Sequence, residues 1–376
     1  MTQIPILHLM NAVGDSSIGR IVQRLVAHLG AQDYSWHIGG VRGSVGSLPE
    51  EFVRLRAEVV DLSDSQNRSV NLARRIRDYV CRYKVRIVHT HSPRTRLAAA
   101  IALLASPQTA HLATEHSLYG PRDRRWGLVY ALLDRATLYP ADHIVAVSQK
   151  MQRQLVALPG LSTRRVTAIQ NAIDCASYFA PELGGPCRAE LGLSPESQVI
   201  GYAGRIDRVK RLDLLVEAFA KVVAQHPEAR LVIIGEGEQR PKLEALAASL
   251  GISHAVIWTG FRQDMSRLLA AMDVYVQPSV NEGLCLSILE AMAAGKAVMA
   301  TDVGGTQEVL THQKTGILIP PGSSSAITDA IVDLLNHPEK RAALAHAARD
   351  HVVQEFDVQR MVEGYRRVYE TLASQL

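Results

Sequence analysis

The sequence predicts an α/β protein built from two Rossmann-type sheets in tandem. Short apolar runs alternate with amphipathic segments along almost the whole chain, which is the pattern of βαβ units and parallel sheets. The alternation stops at Pro181–Ser197, a stretch of Gly, Pro and polar residues predicted to be a linker, and then starts again. A chain of 376 residues is also long enough for two domains.

The first half begins with Ile4–Met10, an apolar run that suits a buried first strand. Runs of similar length and composition follow, and they predict the strands Trp36–Val41, Val59–Leu62, Arg86–His91, His111–His116, His143–Ser148 and Val166–Gln170. The amphipathic segments between them predict the helices Gly19–Leu29, Asn67–Tyr83, Arg94–Ala105, Trp126–Tyr139 and Lys150–Leu158.

The second half repeats this alternation. Its apolar runs predict the strands Val199–Ala203, Leu231–Gly235, Val256–Thr259, Val274–Gln277, Ala297–Ala300 and Gly316–Ile319. Amphipathic or apolar segments between them predict the helices Leu212–Gln225, Arg240–Leu250 and Leu284–Ala294. The last segment, Val358–Ser374, predicts a helix. We therefore expect domains at residues 1–180 and 181–355, with a C-terminal helix at 356–376 that packs back towards the first domain.

Composition and charge place the chain among ordinary globular proteins. It is 47% hydrophobic and 21% charged, with a net charge of +4. Residues 1–175 hold 22 Lys and Arg against 13 Asp and Glu, whereas the remainder holds 19 and 24. The basic first half indicates an anionic partner such as a phosphorylated acceptor or lipid head groups, or equally a solvated Arg-rich surface. No stacking or helix-turn-helix pattern accompanies the charge, so we expect no nucleic-acid partner.

The cysteines and the apolar runs exclude other classes. Cys81, Cys175, Cys187 and Cys285 have no CxxC spacing, so neither a disulfide framework nor a zinc site is expected. No apolar run reaches the length of a membrane span and no N-terminal signal is visible, so we expect a cytoplasmic protein, either free or peripheral on the inner face of the plasma membrane. Arg122–Trp126 combines arginines with a tryptophan, which favours an anionic membrane surface as a further partner over a solvated turn.

The segment Pro278–Glu308 carries the most chemical information. Glu282 lies in a loop and Glu290 lies eight residues later on a helix, so the start of that helix falls between them. Free N–H groups and a partial positive charge at a helix start attract phosphate, and the two carboxylates can accept hydrogen bonds from sugar hydroxyls. Apolar neighbours bury the helix around Glu290, so its carboxylate needs partners such as ribose hydroxyls. The segment therefore predicts a nucleotide-sugar site.

Two cations follow the first strand of the second half. The strand ends at Gly204, Arg205 comes next, and Lys210 stands just before the following helix. Arg can chelate the oxygens of a diphosphate and Lys supplies a point charge, although a basic helix-initiation loop would look the same. In the first half, His116 ends an apolar strand and is a candidate for contact with the transferred group, or a structural histidine. His89 and His91 are weaker candidates of the same kind.

Glycine-rich loops lie near both predicted sites. Val13–Arg20 joins the first strand to the first helix, and its small residues allow backbone N–H groups to approach a ligand. Neither this loop nor Gly235–Arg240 has the GxGxxG spacing, so a dinucleotide cofactor is not expected. Gly304-Gly305 follows a later strand and forms either a ligand-side turn or a tight connection.

Together these motifs resemble the family-4 retaining glycosyltransferases, which adopt the GT-B fold of two Rossmann-like domains facing a deep central crevice. The second half carries the dense part of the resemblance: Gly204-Arg205 with Lys210, Gly235–Gly237, Gly260-Phe261 before Leu268, Asp273–Ser279, Glu282-Gly283 with Glu290-Ala291, Gly304-Gly305 with Glu308, and Thr315-Gly316. The first half fits more loosely, through His116, Val147-Ser148 and Asn171–Asp174.

The resemblance implies a role for each matched residue. Its catalytic set would be His116 beside the sugar, Arg205 and Lys210 on the diphosphate, and Glu282 on the sugar hydroxyls. Its donor-binding set would be Gly14, Gly204, Gly237, Phe261, Arg262, Gly283, Leu284, Cys285 and Glu290. The first domain would bind the acceptor and the second the nucleotide-sugar. The family is usually metal-independent, which agrees with the missing DxD motif, so neither metal nor cofactor is expected.

Two positions depart from the family pattern. The first loop reads Gly14–Ser17 where adjacent glycines are common, and Ala172 stands where Gly is frequent.

The resemblance also implies a reaction. It is the transfer of a sugar, with retention, from a UDP-sugar or else GDP-mannose to a saccharide or lipid-linked acceptor, in cell-envelope or exopolysaccharide synthesis. The departing phosphate oxygen would take the acceptor's proton on the same face. The alternatives are a nucleotide-sugar 2-epimerase or disaccharide synthase on the same fold, and a non-catalytic nucleotide-sugar-binding subunit.

Overall fold

The structure, a computed structural model, describes residues 3–42, 48–63, 69–116, 132 and 134–376. The chain divides into two compact units. Unit 1 comprises Met1–Asn171 together with Val358–Leu376, and unit 2 comprises Ala172–Asp357. The chain therefore leaves unit 1, completes unit 2 and returns to unit 1 with its last helix.

Unit 1 contains a parallel sheet of seven strands in the order β3-β2-β1-β4-β5-β6-β7. The strands are β1 (Ile4–Met10), β2 (Tyr34–Gly40), β3 (Glu58–Asp61), β4 (Ile87–Thr90), β5 (Ala110–Glu115), β6 (His143–Ala146) and β7 (Val166–Ala168). Strands β1, β4 and β5 are buried along most of their length, which is expected for central parallel strands covered on both faces.

The helices of unit 1 begin where the sequence offers caps. They are α1 (Ser17–Leu29), α2 (Leu48–Arg54), α3 (Ser69–Tyr83), α4 (Pro93–Leu103) and α5 (Gln149–Val156). The side chains of Ser16, Ser92 and Ser148 each accept a hydrogen bond from a first-turn N–H of the following helix. Each of these serines follows a strand, so the cap fixes where the chain turns at the carboxyl edge of the sheet.

Unit 2 contains a second parallel sheet, of six strands in the order β10-β9-β8-β11-β12-β13. The strands are β8 (Gln198–Ala203), β9 (Ala229–Ile234), β10 (Val256–Gly260), β11 (Val274–Gln277), β12 (Ala297–Thr301) and β13 (Ile317–Ile319). The helices are α6 (Gly184–Glu190), α7 (Leu212–Gln225), α8 (Arg240–Ser249), α9 (Met265–Ala270), α10 (Leu286–Ala293), α11 (Thr306–Val309), α12 (Ser324–Asn336) and α13 (Pro338–Glu355). Short 3₁₀ helices lie at Cys175–Tyr178, Pro181–Leu183 and Ser253–Ala255.

The last helix, α14 (Val358–Ser374), packs against α1 and β4 of unit 1. Its buried positions include Tyr365 and Tyr369. The hydroxyl of Tyr369 lies 2.8 Å from Nδ1 of His89, and that of Tyr365 lies 3.1 Å from Oγ1 of Thr114. The helix thus supplies polar partners to two central strands as well as apolar contact.

The predicted fold class of two α/β sheets is confirmed, whereas the predicted linker at Pro181–Ser197 is wrong. Helix α6 forms there and packs on α9, because Arg188 donates to the carbonyl oxygen of Ala271 and to Asp273 at 2.9 and 2.8 Å. Buried Cys187 anchors the same helix. Gly and Pro predict loops locally, but tertiary contacts decide the outcome here.

The unit boundaries also differ from the predicted ones. Residues 172–180, predicted to end the first domain, lie in unit 2, because the 3₁₀ helix Cys175–Tyr178 packs on α9 and α10. At the far end, unit 1 resumes at Val358 rather than at residue 356.

The predicted membrane-surface motif and the predicted absence of a membrane span are considered against the described residues. The motif Arg122–Trp126 falls outside the described residues, and so does half of the predicted helix Trp126–Tyr139. Within the described ranges, no helix combines the length and apolar character needed to cross a bilayer.

Candidate functional site

In unit 2, the loops that follow β8 and β9 are joined by backbone hydrogen bonds. Gly204 donates to Ile234 at 3.0 Å, and Ile206 donates to Glu236 at 2.9 Å. Gly237 has to be glycine, because a Cβ atom there would stand 2.3 Å from the carbonyl oxygen of Ile206. The two loops therefore form one platform at the carboxyl edge of the sheet.

Arg205 and Lys210 leave this platform with different surroundings. The Arg205 side chain is 79% exposed, and its guanidinium makes an ion pair of 3.0 Å with Asp207. Lys210 is largely buried, and its Nζ lies 2.7 Å from Oε1 of Glu282. Burial opposes the charged ammonium, but the carboxylate of Glu282, which accepts its hydrogen bond, outweighs this effect and raises the pKa of Lys210. Two cations thus stand on one loop, one exposed and one held by Glu282.

Glu282 is oriented by two donors that share one oxygen. Gln277 Nε2 donates to Oε1 of Glu282 at 3.0 Å, alongside Lys210. The carboxylate can only accept, so the NH2 end of the Gln277 amide faces it, and Oε1 of that amide lies 2.8 Å from the hydroxyl of Tyr275. Within the described part of the chain, Oε2 of Glu282 has no hydrogen-bond partner. That oxygen can accept hydrogen bonds from a bound hydroxyl.

The backbone of Glu282 is held by the turn that follows β12. Gly304 has φ of +55°, and a Cβ atom there would stand 1.7 Å from the carbonyl oxygen of Glu282. Gly305 donates its N–H to Gly283 at 2.8 Å. Thr301, the last residue of β12, donates its hydroxyl to the carbonyl oxygen of Ser279. The Gly304-Gly305 turn is therefore a close backbone contact that positions the Glu282 loop.

Helix α10 begins directly after this loop, with the buried residue Leu284 and then Cys285 at its N-terminus. Burial, together with the charge of Glu282, raises the pKa of Cys285 to about 11, so the thiol is protonated at neutral pH. The Cys285 side chain provides no cap for the helix, and its Sγ lies 3.2 Å from Oγ of Ser287. The first turn of α10 is therefore compatible with an anionic ligand.

Glu290 and Arg262 have protein partners of their own. Glu290 accepts a hydrogen bond of 3.0 Å from the hydroxyl of Tyr178. The expectation that it is buried is wrong, because the side chain is half-buried while its apolar neighbours on α10 are covered. Arg262 pairs with Glu190 and Asp264 at 2.9 and 2.6 Å, and these partners raise its pKa. These ion pairs do not support the predicted donor contact of Arg262, which stays a prediction.

Phe261 presents an aromatic face at the end of β10. Its side chain is 54% exposed, unlike most aromatic residues of the chain. An exposed ring on the same sheet edge as Arg205 and Glu282 suits stacking with a flat group such as a nucleobase. The geometry agrees with the predicted donor contact without testing it.

In unit 1, His116 follows β5, and Gly14 lies in the loop that precedes α1. His116 Nε2 lies 3.1 Å from Nδ1 of His91. Burial, with a smaller effect of Arg96, lowers the pKa of His116 to about 3, so its ring is neutral at physiological pH. Near Gly14, Asp15 makes an ion pair of 2.5 Å with Arg20 and Ser16 caps α1, so charge and cap hold the loop together.

Three imidazoles lie close enough together to consider a metal. Ring nitrogens of His8, His89 and His91 all fall within 4.8 Å of one another. However, Nδ1 of His8 pairs with Nε2 of His91 at 3.0 Å, and both nitrogens of His89 pair with hydroxyl groups. A cation would have to displace these hydrogen bonds, and among the described residues no carboxylate is hydrogen-bonded to the three rings. The cluster therefore fits a hydrogen-bond network, and metal independence stays a prediction.

The sequence reasoning missed several of these residues. Gln277, Tyr275 and His8 were not singled out, nor were the tyrosines of α14. A signal for two of them exists, because Gln277 and His8 are polar residues in otherwise apolar strands. A polar residue in a buried strand needs a partner, and its nearness to the carboxyl edge of the sheet points to the site.

Comparison with known proteins identifies both halves. Residues 18–177 match the family model described as Glycosyltransferase Family 4, and residues 187–351 match that described as Glycosyl transferases group 1. Putative glycosyltransferase EpsD of Bacillus subtilis is 28% identical over 316 residues, which is 81% of each chain. N-acetyl-alpha-D-glucosaminyl L-malate synthase of Bacillus anthracis is 29% identical over 237 residues. That alignment covers 63% of this chain and 61% of the synthase.

Solved structures show the same fold. HepE of Anabaena, crystallised with UDP and glucose, superposes with a TM-score of 0.86 at 21% identity, covering 99% of this chain and 100% of HepE. Sucrose-phosphate synthase of Thermosynechococcus elongatus gives a TM-score of 0.83 at 20% identity, with 100% of both chains covered. With a family model matched in each half and the fold shared end to end, this chain belongs to the group 1 and family 4 glycosyltransferases of the GT-B fold.

Proposed function

We propose that this chain transfers a sugar from a UDP-sugar to a saccharide or lipid-linked acceptor, with retention of configuration and without a metal. The observation that carries the proposal is the cluster of Lys210, Gln277 and Glu282, with Arg205 on the same loop as Lys210. Cleavage of the anomeric bond leaves negative charge on a nucleoside diphosphate, which positioned cations stabilise. Arg205 and Lys210 supply two such charges on one loop.

The division of labour follows from burial. Arg205 is exposed and can fold onto diphosphate oxygens in a two-point contact. Lys210 is held by Glu282, so its charge is in place before the donor arrives. Such preorganisation removes a reorganisation cost from the reaction. The first turn of α10 adds backbone N–H groups to the same anion.

The sugar end of the donor is assigned to Glu282. Lys210 and Gln277 both occupy its Oε1, so Oε2 is the oxygen available to a sugar hydroxyl. The neighbouring thiol of Cys285 is neutral at physiological pH and adds no competing charge. A single presented oxygen with fixed direction selects hydroxyl geometry, which is how a site distinguishes one sugar from another.

The choice of donor and acceptor is supported by relatives. HepE was crystallised with UDP and with UDP-glucose, which favours uridine as the base. Two relatives carry the name of an anionic compound, L-malate in one and D-inositol 3-phosphate in the other. The Arg-rich first half of this chain suits an anionic acceptor. Retention follows if the departing phosphate oxygen takes the acceptor's proton on the same face of the sugar.

Binding and turnover test the proposal together. We expect UDP to raise the melting temperature of the full chain more than GDP or ADP does, because a ligand that binds the native state stabilises it. Arg205→Ala, Lys210→Ala and Glu282→Ala should each lower transfer about 10²–10³-fold, as loss of one transition-state contact does. Arg211→Ala is the matched control, since Arg211 is paired with Asp213. Near-normal turnover in all three variants would refute the assignment.

Product analysis separates the remaining alternatives. Incubation with donor alone reveals a 2-epimerase if an epimerised nucleotide-sugar forms. A free sugar as acceptor reveals a disaccharide synthase if a disaccharide forms. If purified protein binds UDP but neither transfers nor hydrolyses a panel of UDP-sugars, the chain is a non-catalytic binding subunit and the catalytic proposal fails.

A further inference from the structure

Unit 1 contains a buried chain of polar side chains that ends at His116. We call it the histidine–tyrosine network, and its members lie on β1, β4, β5 and α14 or directly after those strands. They are His8, His89, His91, Thr114, His116, Tyr365 and Tyr369. Apart from half-buried His116, every member is buried.

The hydrogen bonds run in a single line from α14 to His116. Tyr365 lies 3.1 Å from Thr114, whose Oγ1 lies 2.7 Å from Nε2 of His89. The other nitrogen of His89 lies 2.8 Å from the hydroxyl of Tyr369.

The line then continues through the other rings. The Tyr369 hydroxyl lies 3.4 Å from Nε2 of His8, which is the longest link. Nδ1 of His8 lies 3.0 Å from Nε2 of His91, and Nδ1 of His91 lies 3.1 Å from Nε2 of His116.

Each imidazole in this line is neutral. Burial lowers the pKa of His8 and of His116 to about 3. Burial, followed by the neighbouring rings, places the pKa values of His89 and His91 well below 6.5. A neutral imidazole carries one N–H donor and one acceptor nitrogen. A line of such rings must therefore point all its donors one way, and reversing one ring reverses all of them.

The buried end of the line sets that direction. Among the described residues, the Tyr365 hydroxyl has Thr114 Oγ1 as its hydrogen-bond partner and no other. If Thr114 donated to Tyr365, the phenol hydrogen would be a buried donor without an acceptor, which is costly. Tyr365 therefore donates to Thr114, and Thr114 donates to Nε2 of His89.

The remaining protons follow from this start. Nδ1–H of His89 donates to the Tyr369 oxygen, and the Tyr369 hydroxyl donates to Nε2 of His8. Nδ1–H of His8 then donates to His91, and Nδ1–H of His91 donates to Nε2 of His116. The Nε2 atom of His116 is thus an acceptor, and the single proton of that ring is on Nδ1.

We propose that the network holds His116 as a neutral hydrogen-bond donor through Nδ1, with His91, His8 and Tyr369 as positioning residues. The inference rests on the proposed function and adds to it the expectation, implied by the family resemblance, that His116 contacts the transferred sugar. Among the described residues, Nδ1 of His116 has no partner, so it is the atom available to a ligand. The ring donates to a sugar oxygen and does not accept a proton at that position.

Ring nitrogens report this state directly. In the ligand-free full chain with ¹⁵N-labelled histidine, long-range ¹H–¹⁵N correlations distinguish protonated from bare ring nitrogens. We expect His116 to show a protonated Nδ1 and a bare Nε2 at neutral pH, with its signals assigned by their loss in His116→Asn. A bare Nδ1, or a doubly protonated ring, would overturn the proposal. The spectrum of the wild-type chain therefore tests the tautomer of His116, and His116→Asn serves only to assign its signals.

Two matched substitutions on α14 test the line itself. In Tyr365→Phe, the Thr114 hydroxyl still has only His89 to donate to, so the His116 tautomer is expected to be unchanged. In Tyr369→Phe the line is cut, the direction of the His8–His91–His116 segment is released, and signals of the second tautomer are expected. Equal spectra for the two variants would contradict a continuous network.

Failure of this inference is distinguishable from failure of the proposed function. The spectra need neither donor nor acceptor, whereas the proposed function is tested by UDP binding and turnover in variants of unit 2. If His116 has the expected tautomer but the chain transfers no sugar, the network proposal stands and the proposed function fails. If His116 has the other tautomer in an active enzyme, the network proposal fails and the proposed function stands.

Discussion

The buried ion pair of Lys210 and Glu282 leads to a prediction of stability with a definite size. Replacing Lys210 by Met leaves the Glu282 carboxylate in a site where its side chain is only 9% exposed. Gln277 still donates to the same oxygen at 3.0 Å, so the carboxylate keeps one of its two partners. The loss in the free energy of unfolding therefore reflects the ammonium group alone.

The distance and the burial give the magnitude. At 2.7 Å and an effective dielectric constant of about 20, two unit charges attract by about 6 kcal/mol. Desolvation of both groups offsets part of this, and removing one partner of a buried pair generally costs about 3–5 kcal/mol. With Gln277 remaining, we expect a loss of about 3 kcal/mol in the free energy of unfolding. For a unit of this size, that lowers the melting temperature by about 6–12 °C.

A double-mutant cycle measured by calorimetry tests this expectation. Lys210→Met and Glu282→Gln should each lower the free energy of unfolding of unit 2. The loss in the double variant should be smaller than the sum of the two single losses by about 2 kcal/mol, which is the coupling energy. Arg240 and Glu236 form an exposed pair of similar length, 2.6 Å, and its cycle should give less than about 1 kcal/mol. Additive effects at Lys210 and Glu282, within about 0.5 kcal/mol, would refute the reasoning.

Two further predictions concern acid stability and the glycine turn. Because the folded-state pKa of His8 and of His116 is about 3, below the unfolded value of 6.5, the free energy of unfolding should fall as pH drops from 6.5 towards 3. Each such ring should lower the free energy of unfolding by about 1.4 kcal/mol between pH 7.5 and pH 5.5 in urea titrations, and equal stability at the two pH values would contradict this. Gly304→Ala should lower the free energy of unfolding by more than about 2 kcal/mol and abolish most transfer activity, because the Cβ atom would overlap the Glu282 backbone. Gly322→Ala, with φ of +83° and open space, should lose about 1 kcal/mol and keep activity, and equal losses would contradict the overlap.

Periodicity was sufficient to predict the sheets, because buried parallel strands appear as short apolar runs whatever surrounds them. Every strand in the structure overlaps a predicted one, and β1 and β11 match to the residue. The prediction failed at α6, whose Gly184 and Pro186 are typical of loops. Contacts with α9, which is remote in sequence, stabilise a helix there, and no local sequence pattern contains those contacts.

Part of the candidate site's geometry was predictable from the sequence motifs, whereas the roles of its residues stay predictions. Glu282 and Lys210 were predicted to serve one ligand, and the structure places them 2.7 Å apart. What the sequence could not supply is the third partner. Gln277 and Glu282 are separated by a loop whose path depends on Gly304, so the shared oxygen follows from three-dimensional packing alone.

The return of α14 to unit 1 also orders events during synthesis. Domains generally fold as they leave the ribosome, starting with the N-terminal one. Here the first-made sheet lacks the helix that covers His89 and Thr114 until Val358–Ser374 has been translated, whereas Ala172–Asp357 is already whole. The later-encoded unit is therefore the first able to complete its native contacts. A nascent chain halted before Val358 would leave His89 and Thr114 of the first sheet exposed to solvent and to chaperones.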